Sequence, residues 1–293
     1  MQRRDAVAVL LGGLAQPILL ASCFRAREYA SGSHFATIEQ GAAGRLGVAV
    51  LDVAASRRLV YRAHERFPMC STFKWLLAAQ VLSRVDAAEE QLSRVVPYGH
   101  ADLLDHAPVT RAHVHDGGMT VEQLTIAAIQ TSDNTAANLL LRTVGGPASF
   151  TAFLRRIGDR VSRLDRIEPE LNSAEPGDVR DTTTPSAMLA NIERLILGNR
   201  LHVASRERLV SWLLGSTTGG DRLRAGVPST WRVADKTGTG AHGATNDVAI
   251  MWPPGREPVL VAAYLTETDV SAQARNSALA AVGREVASWV GGS

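Results

Sequence analysis

Segments with the alternation of β-strands lie only at the two ends of this 293-residue chain, with well over a hundred residues of helical pattern between them. Strands so far apart can pair only if the chain returns to its own beginning. The layout therefore predicts one antiparallel sheet with a helical lobe inserted between its two halves. Early strands are expected at 46–52 and 58–62, joined by a turn at 54–57, after a short helical pattern between Ile38 and Leu46. Late strands are expected at 231–236, 248–252 and 259–266, and a final helix at 271–290 would back the sheet. An apolar content of 45% supplies a globular core.

Within the helical region, Thr120 and Gln123 form a capping-box pattern for a helix through 124–129. The next helix, 135–144, stops at Gly145-Gly146; Pro147 opens another that ends near Gly158. Helices resume at 185–197 and 205–214. Between them, at 159–184, the apolar period vanishes and charges gather, which predicts a long surface loop of the kind that usually carries function.

The first 22 residues read as a secretion signal: Arg3-Arg4, then an apolar run from Ala6 broken by Gly12, Gly13, Gln16 and Pro17, too short and interrupted for a good membrane span. Leu20-Ala21-Ser22-Cys23 resembles the bacterial lipobox, which implies lipidation of Cys23, and the paired arginines resemble a twin-arginine export signal. Residues 23–33 would be a tether. An ordinary cleaved signal is the plainer alternative, in which case Cys23 is free to pair with Cys70. Setting residues 1–22 aside reduces 31 basic and 29 acidic side chains to 29 and 28, a balance that gives no reason to expect nucleic acid. The eight histidines and two cysteines show no metal-ligand spacing, so no metal or other cofactor is expected.

Chemistry is concentrated first at Cys70-Ser71-Thr72-Phe73-Lys74. From Phe73 to Leu82 nearly every other residue is apolar, so a helix here would be covered on all sides with Lys74 taken out of water. Positions i and i+3 share a face, so the Ser71 hydroxyl could reach the Lys74 amine as a nucleophile reaches its base. The plain alternative is a first-turn serine followed by a lysine that snorkels to the surface. Three further stretches could supply partners, each with its own plain alternative. Ser132-Asp133-Asn134 is a polar island between apolar helices, a cap or a site. Lys236-Thr237-Gly238-Thr239-Gly240 ends an apolar strand, as a charged turn or as one wall of a cleft. Glu168-Pro169-Glu170-Leu171-Asn172, in the long loop, is a solvated acidic stretch or a carboxylate and an amide four residues apart.

Taken in order, Ser71-x-x-Lys74, Ser132-Asp133-Asn134 and Lys236-Thr237-Gly238 resemble the penicillin-recognising serine enzymes, and Glu168 to Asn172 resembles the class A serine β-lactamases in particular. The likeness runs from about Arg45 to the end. It implies the α/β plus all-α two-lobe fold: a five-stranded antiparallel sheet flanked by terminal helices (about 34–66 and 216–293) with an inserted helical lobe (about 67–215), together a catalytic domain at 34–293. It also implies hydrolysis of penicillins and cephalosporins through an acyl-serine, by a monomer that touches membrane only through a lipid at Cys23. The roles it implies are nucleophile for Ser71, uptake of its proton by Lys74 or by Glu168 through a bound water, proton donation from Ser132 to the departing ring nitrogen, and water activation for Glu168 with Asn172; Lys236 counts among the catalytic residues as a partner of the substrate carboxylate. The oxyanion hole would be the backbone N–H groups of Ser71 and Thr239. Asn134, Lys236, Thr237, Gly238, Thr239 and Arg222 would bind substrate, and Arg166 with Asp181 would close the neck of the loop.

Several positions depart from common patterns of that family. The residue eight after Thr237, often arginine, is Thr245, and Arg222 matches the alternative position. Cys70 precedes the nucleophile as in members that carry a disulfide beside the site, but the position of the partner cysteine is Gly240, so no disulfide is expected there. His106 stands where an aromatic residue often lines the rim, either as a substrate contact or as a plain surface histidine. A D-alanyl-D-alanine carboxypeptidase shares the first three motifs but lacks the glutamate loop; a penicillin-sensing domain would be acylated without turnover.

Overall fold

The computed structural model of the protein describes residues 27–30 and 32–292; the leader at 1–22 and Cys23 lie outside them. Five antiparallel strands, in spatial order Arg57–Tyr61, Arg45–Asp52, Val259–Thr266, Thr245–Trp252 and Arg232–Thr239, form the sheet. Val259–Thr266 sits at the centre, with Val261 opposite Val50 on one side and Ala249 on the other. All eight of its residues are buried. Alternation explains why: Val261, Ala263 and Leu265 pack with Phe35, Leu279, Val282 and Val286 of the two terminal helices. Leu260, Ala262 and Tyr264 point the other way, into a cluster with Trp75, Leu76 and Leu189 of the helical lobe. A strand covered on both faces reads as a continuous apolar run, and each such Leu or Val stabilises the fold by ~1.5–3 kcal/mol.

The terminal helices are Gly32–Ala42 and Ala272–Gly291; the helical lobe contains Phe73–Asp86, Val121–Gln130, Asn134–Val144, Gly146–Ile157, Pro185–Ile192 and Val203–Leu214. Helix punctuation follows local chemistry. Thr120 Oγ1 accepts from Gln123 N at 3.1 Å while Gln123 Oε1 accepts from Thr120 N at 2.8 Å. Gly145 and Gly158 take the left-handed conformation that ends a helix cheaply only for glycine.

Four sequence expectations are corrected. A sixth strand, Arg27–Ala30, pairs in parallel with Arg57–Tyr61 at the sheet edge, and the first helix begins at Gly32, where a tether was expected. Four residues carry no periodic signal; an unpaired neighbour decides the pairing. The helical stretch is also interrupted: residues 87–118 run through turns, with Val95–Val96 pairing Met119–Thr120. The helix expected at 185–197 widens into a π-type turn over Glu193–Leu197. Finally, a short helix, Leu223–Gly226, precedes the strand Arg232–Thr239 and packs on the last helix.

Candidate active site

Ser71 lies in a tight turn, Cys70–Thr72, that runs directly into the helix Phe73–Asp86. Cys70 takes a left-handed backbone, φ 45°, a conformation that costs a non-glycine residue ~1–3 kcal/mol and is held by full burial. Every residue from Phe73 to Leu82 is buried, Lys74 included, so the lysine does not snorkel. Its ammonium instead meets Ser132 O at 2.8 Å, Asn134 Oδ1 at 2.6 Å and Glu168 Oε1 at 2.9 Å. The Ser71 hydroxyl donates to that same Glu168 oxygen at 3.3 Å. The contact expected between Ser71 and Lys74 is thus replaced by a shared carboxylate: the helix puts both on one face, but the loop inserts its glutamate beside them.

The polar island is both cap and site, divided by residue. Asp133 is buried and caps the helix Asn134–Val144 through Ala136 N at 2.9 Å, and it also accepts from Thr110 N and Val109 N. Ser132, with φ 59°, turns its side chain the other way. Its Oγ accepts from Lys236 Nζ at 3.1 Å and lies 3.4 Å from Lys74 Nζ, so one hydroxyl bridges two buried ammonium groups. Burial pushes both lysines down from the ordinary range. For Lys236 the charge of Lys74 adds to that effect, and its pKa falls to about 7; for Lys74 the Glu168 carboxylate opposes it.

Glu168 is carried on the long loop and buried against the lobe. Asn172, on the short turn Glu170–Asn172, donates from Nδ2 to Glu168 Oε2 at 2.5 Å, while its own Oδ1 is buried without a partner among the described residues. The neck of the loop is drawn together by Asp181. Its carboxylate accepts from Arg166 Nε at 2.6 Å, Asp165 N at 2.7 Å and Arg166 N at 3.0 Å. Arg166 and Asp181 act on the loop and not on the cleft.

Across the cleft, the strand Arg232–Thr239 brings Lys236, Thr237, Gly238 and Thr239 to one edge. Arg222 is buried behind it and donates to Gly238 O at 2.8 Å, Asn246 O at 2.7 Å and Thr239 Oγ1 at 2.8 Å; burial lowers its pKa. Arg224 points away and pairs with Asp235. Thr245 contacts Arg275 Nε at 3.0 Å, outside the cleft lining. The open cleft is lined by Ser71, Ser132, Asn134, Asn172 and Thr237 to Thr239, with His106 and Arg222 at its sides. His106 accepts Asn134 N on its carbonyl at 2.9 Å and places its ring 3.0 Å from Thr131 O. Cys70 is a free thiol, and a Cβ at Gly240 would lie 2.7 Å from its Sγ.

Sequence reasoning missed Asn138, Thr218 and Asn276. Asn138 sits one turn after Asn134 on the same helix, a polar residue in an apolar run, which is the one signal that could have found it. Thr218 lines the cleft, and Asn276 Oδ1 accepts from Arg222 Nε at 3.0 Å. Their roles depend on partners far away in sequence. Among the described residues no group of three or more His, Cys, Asp or Glu is placed to hold a metal ion.

With this geometry established, three comparisons bear on it. The profile of the Beta-lactamase enzyme family matches residues 32–290. Beta-lactamase L2 of Stenotrophomonas maltophilia is 49% identical over 285 residues, covering 94% of each chain, and Beta-lactamase CTX-M-8 of Citrobacter amalonaticus is 47% identical over 251 residues, covering 86% of each. The solved structure of an ancestral (GNCA) class A β-lactamase superposes with a TM-score of 0.85 at 62% identity, over 86% of this chain and 96% of that one.

Proposed function

Because the chain belongs to the class A β-lactamase family and hydrolyses β-lactam rings, we propose that Ser71 is its nucleophile and Glu168 the base that frees it with water. The observation that carries this assignment is the single Glu168 oxygen shared by the Ser71 hydroxyl at 3.3 Å and the Lys74 ammonium at 2.9 Å. A carboxylate so placed can take the serine proton directly, and the adjacent ammonium stabilises the charge that develops.

Ser71 Oγ attacks the lactam carbonyl carbon, and the N–H groups of Ser71 and Thr239 hold the oxyanion, typically among the largest contributions to such a step. The C–N bond of the ring then breaks as nitrogen takes a proton from Ser132; the Lys74 ammonium resupplies Ser132 and takes in return the proton that Glu168 drew from Ser71, which leaves Glu168 a carboxylate again. In the second half, Glu168 deprotonates a water whose other hydrogen is accepted by Asn172 Oδ1, an acceptor with no partner among the described residues. Water oxygen adds to the ester carbon, the Ser71 Oγ–carbon bond breaks and the serine regains its proton. The substrate carboxylate is met by Thr237, Thr239, Lys236 and Arg222, and the amide side chain by Asn134 and the His106 rim; Gly238 lets the strand lie close against the nucleophile turn, where a Cβ would come 2.8 Å from Met69 O.

Glu168→Gln tests the assignment: acylation slows but goes on with Lys74, lowered from the ordinary lysine range by burial, as the remaining base, whereas deacylation loses its water-activating group, so turnover falls by about 10²–10⁴-fold and a covalent penicillin adduct accumulates in the mass spectrum. Unchanged turnover in that variant removes Glu168 from the role. A carboxypeptidase or a sensor would have no use for a buried Glu168–Asn172 pair beside the serine.

Class A β-lactamases are secreted or periplasmic enzymes. The leader read at 1–22 agrees with export, and a lipid at Cys23 would hold the enzyme at the cell envelope. Metabolic labelling with a fatty acid, lost in Cys23→Ala, checks the anchor.

A further inference from the structure

We propose that Thr218 is a positioning residue for the carboxylate subsite: it sets the direction of the Thr237 hydroxyl through a chain of hydroxyls that starts at the buried Asp235. The proposal rests on the reading above, in which Thr237 meets the substrate carboxylate.

The segment 215–219 is clamped from both sides. Thr217 N and Oγ1 both donate to Gln130 O, at 3.0 and 2.8 Å, at the end of the helix Val121–Gln130. On the other side Gly219 is pressed on the strand Arg232–Thr239 so closely that a Cβ there would lie 1.9 Å from Asp235 Oδ2. Only glycine permits that approach. The clamp brings three hydroxyls into line. Ser216 Oγ donates to Asp235 Oδ2 at 3.1 Å, Thr218 Oγ1 lies 3.5 Å from Ser216 Oγ, and Thr218 Oγ1 and Thr237 Oγ1 are 2.6 Å apart. Thr218 and Thr237 both line the cleft.

Proton counting gives the chain its function. Each hydroxyl has one hydrogen to donate and room to accept. Asp235, ion-paired with Arg224, takes the hydrogen of Ser216. At 3.5 Å the Ser216 oxygen is a poor acceptor for Thr218, whereas 2.6 Å to Thr237 is a strong contact. In the empty cleft either threonine can donate across it. A substrate carboxylate only accepts, so it claims the Thr237 hydrogen, and the short contact then survives only if Thr218 donates to Thr237. Thr218 therefore favours the one orientation in which Thr237 faces the substrate as a donor, and it strengthens that donor by polarising it. A valine of nearly the same shape leaves the Thr237 oxygen without that support.

Steady-state kinetics on benzylpenicillin and on its methyl ester test this. For Thr218→Val, KM for benzylpenicillin rises by about 3- to 10-fold, the size of one neutral hydrogen bond, while kcat changes by less than about twofold. Thr218→Ser restores the wild-type KM, and the methyl ester, with no anionic acceptor, shows little difference between the variants. In a Thr237→Val background Thr218→Val costs nothing further, because its effect passes through that hydroxyl. An equal loss on acid and ester, failed rescue by serine, or additive losses in the double variant overturns the proposal. Mass spectrometry of Glu168→Gln separates the two levels: no penicillin adduct there defeats the underlying mechanism, whereas an adduct together with an unmoved KM in Thr218→Val defeats only the role of Thr218.

Discussion

Asn138 holds Glu168 by both backbone groups: its Nδ2 donates to Glu168 O at 2.8 Å, and its Oδ1 accepts from Glu168 N at 2.9 Å. The helix Asn134–Val144 thereby fixes the height at which the loop presents its carboxylate to Ser71. In Asn138→Ala both bonds go and two inward-facing backbone groups lose their partners, at a cost of ~1–3 kcal/mol. Denaturant midpoints fall accordingly. Adduct decay followed by mass spectrometry slows more than adduct formation, because Glu168 must be placed against a water in the second step. Equal slowing of both steps would leave Asn138 with a purely structural role.

Arg222 and Arg224 are two residues apart and take different partners along the strand Arg232–Thr239. Arg222 reaches Thr239 and Gly238 at the cleft, while Arg224 closes on Asp235. Arg222→Ala should raise KM for penicillins by about tenfold or more, the worth of a charge-assisted hydrogen bond, and slow inactivation by mechanism-based inhibitors. Arg224→Ala should leave KM nearly unchanged and lower thermal stability instead, since it uncovers a buried carboxylate. KM and melting temperature measured on both variants check the split; a larger KM effect from Arg224 would reverse the assignment.

Lys236 acts on pH in two opposite directions. With its pKa near 7 in the folded enzyme, it loses charge as pH rises through that region, and the carboxylate subsite weakens; kcat/KM for anionic substrates falls on that limb. Lys236→Arg, which stays charged, moves the limb to higher pH. For stability the sign is reversed. Between about 7 and the ordinary lysine value of 10.5 the unfolded chain binds a proton that the folded protein does not, so this group makes the protein more stable as pH rises. Urea midpoints from pH 7 to 10 should therefore climb in the wild type relative to Lys236→Met.

Cys70 is fully buried, and burial with the nearby Glu168 charge raises its thiol to about 12. A thiol reagent at pH 8 should leave it unlabelled in a Cys23→Ser background until the protein is unfolded in denaturant. Rapid labelling of the native protein would contradict the packing around the nucleophile turn.

The linear order of residues determined what depends on near neighbours. Covalent spacing and helix geometry already bring Ser71 and Lys74 to one face, Thr120 and Gln123 to one cap, and Gly145 and Gly158 to helix ends. Strand alternation placed the five antiparallel strands, and the motif series from Ser71 to Lys236, with Glu168 and Asn172 between, named the chemistry. Only the tertiary structure decided which partner each polar group takes. Ser71 bonds to a carboxylate 97 residues away, Asn138 grips the backbone of a loop 30 residues on, and Thr237 meets Thr218 across a clamped turn 19 residues back. Even the edge strand Arg27–Ala30 exists because Arg57–Tyr61 has a free side. A hydrogen bond is decided within about 3 Å, whereas sequence distance limits only how near two groups can come. The choice among possible partners therefore waits until the core has packed and set the distances.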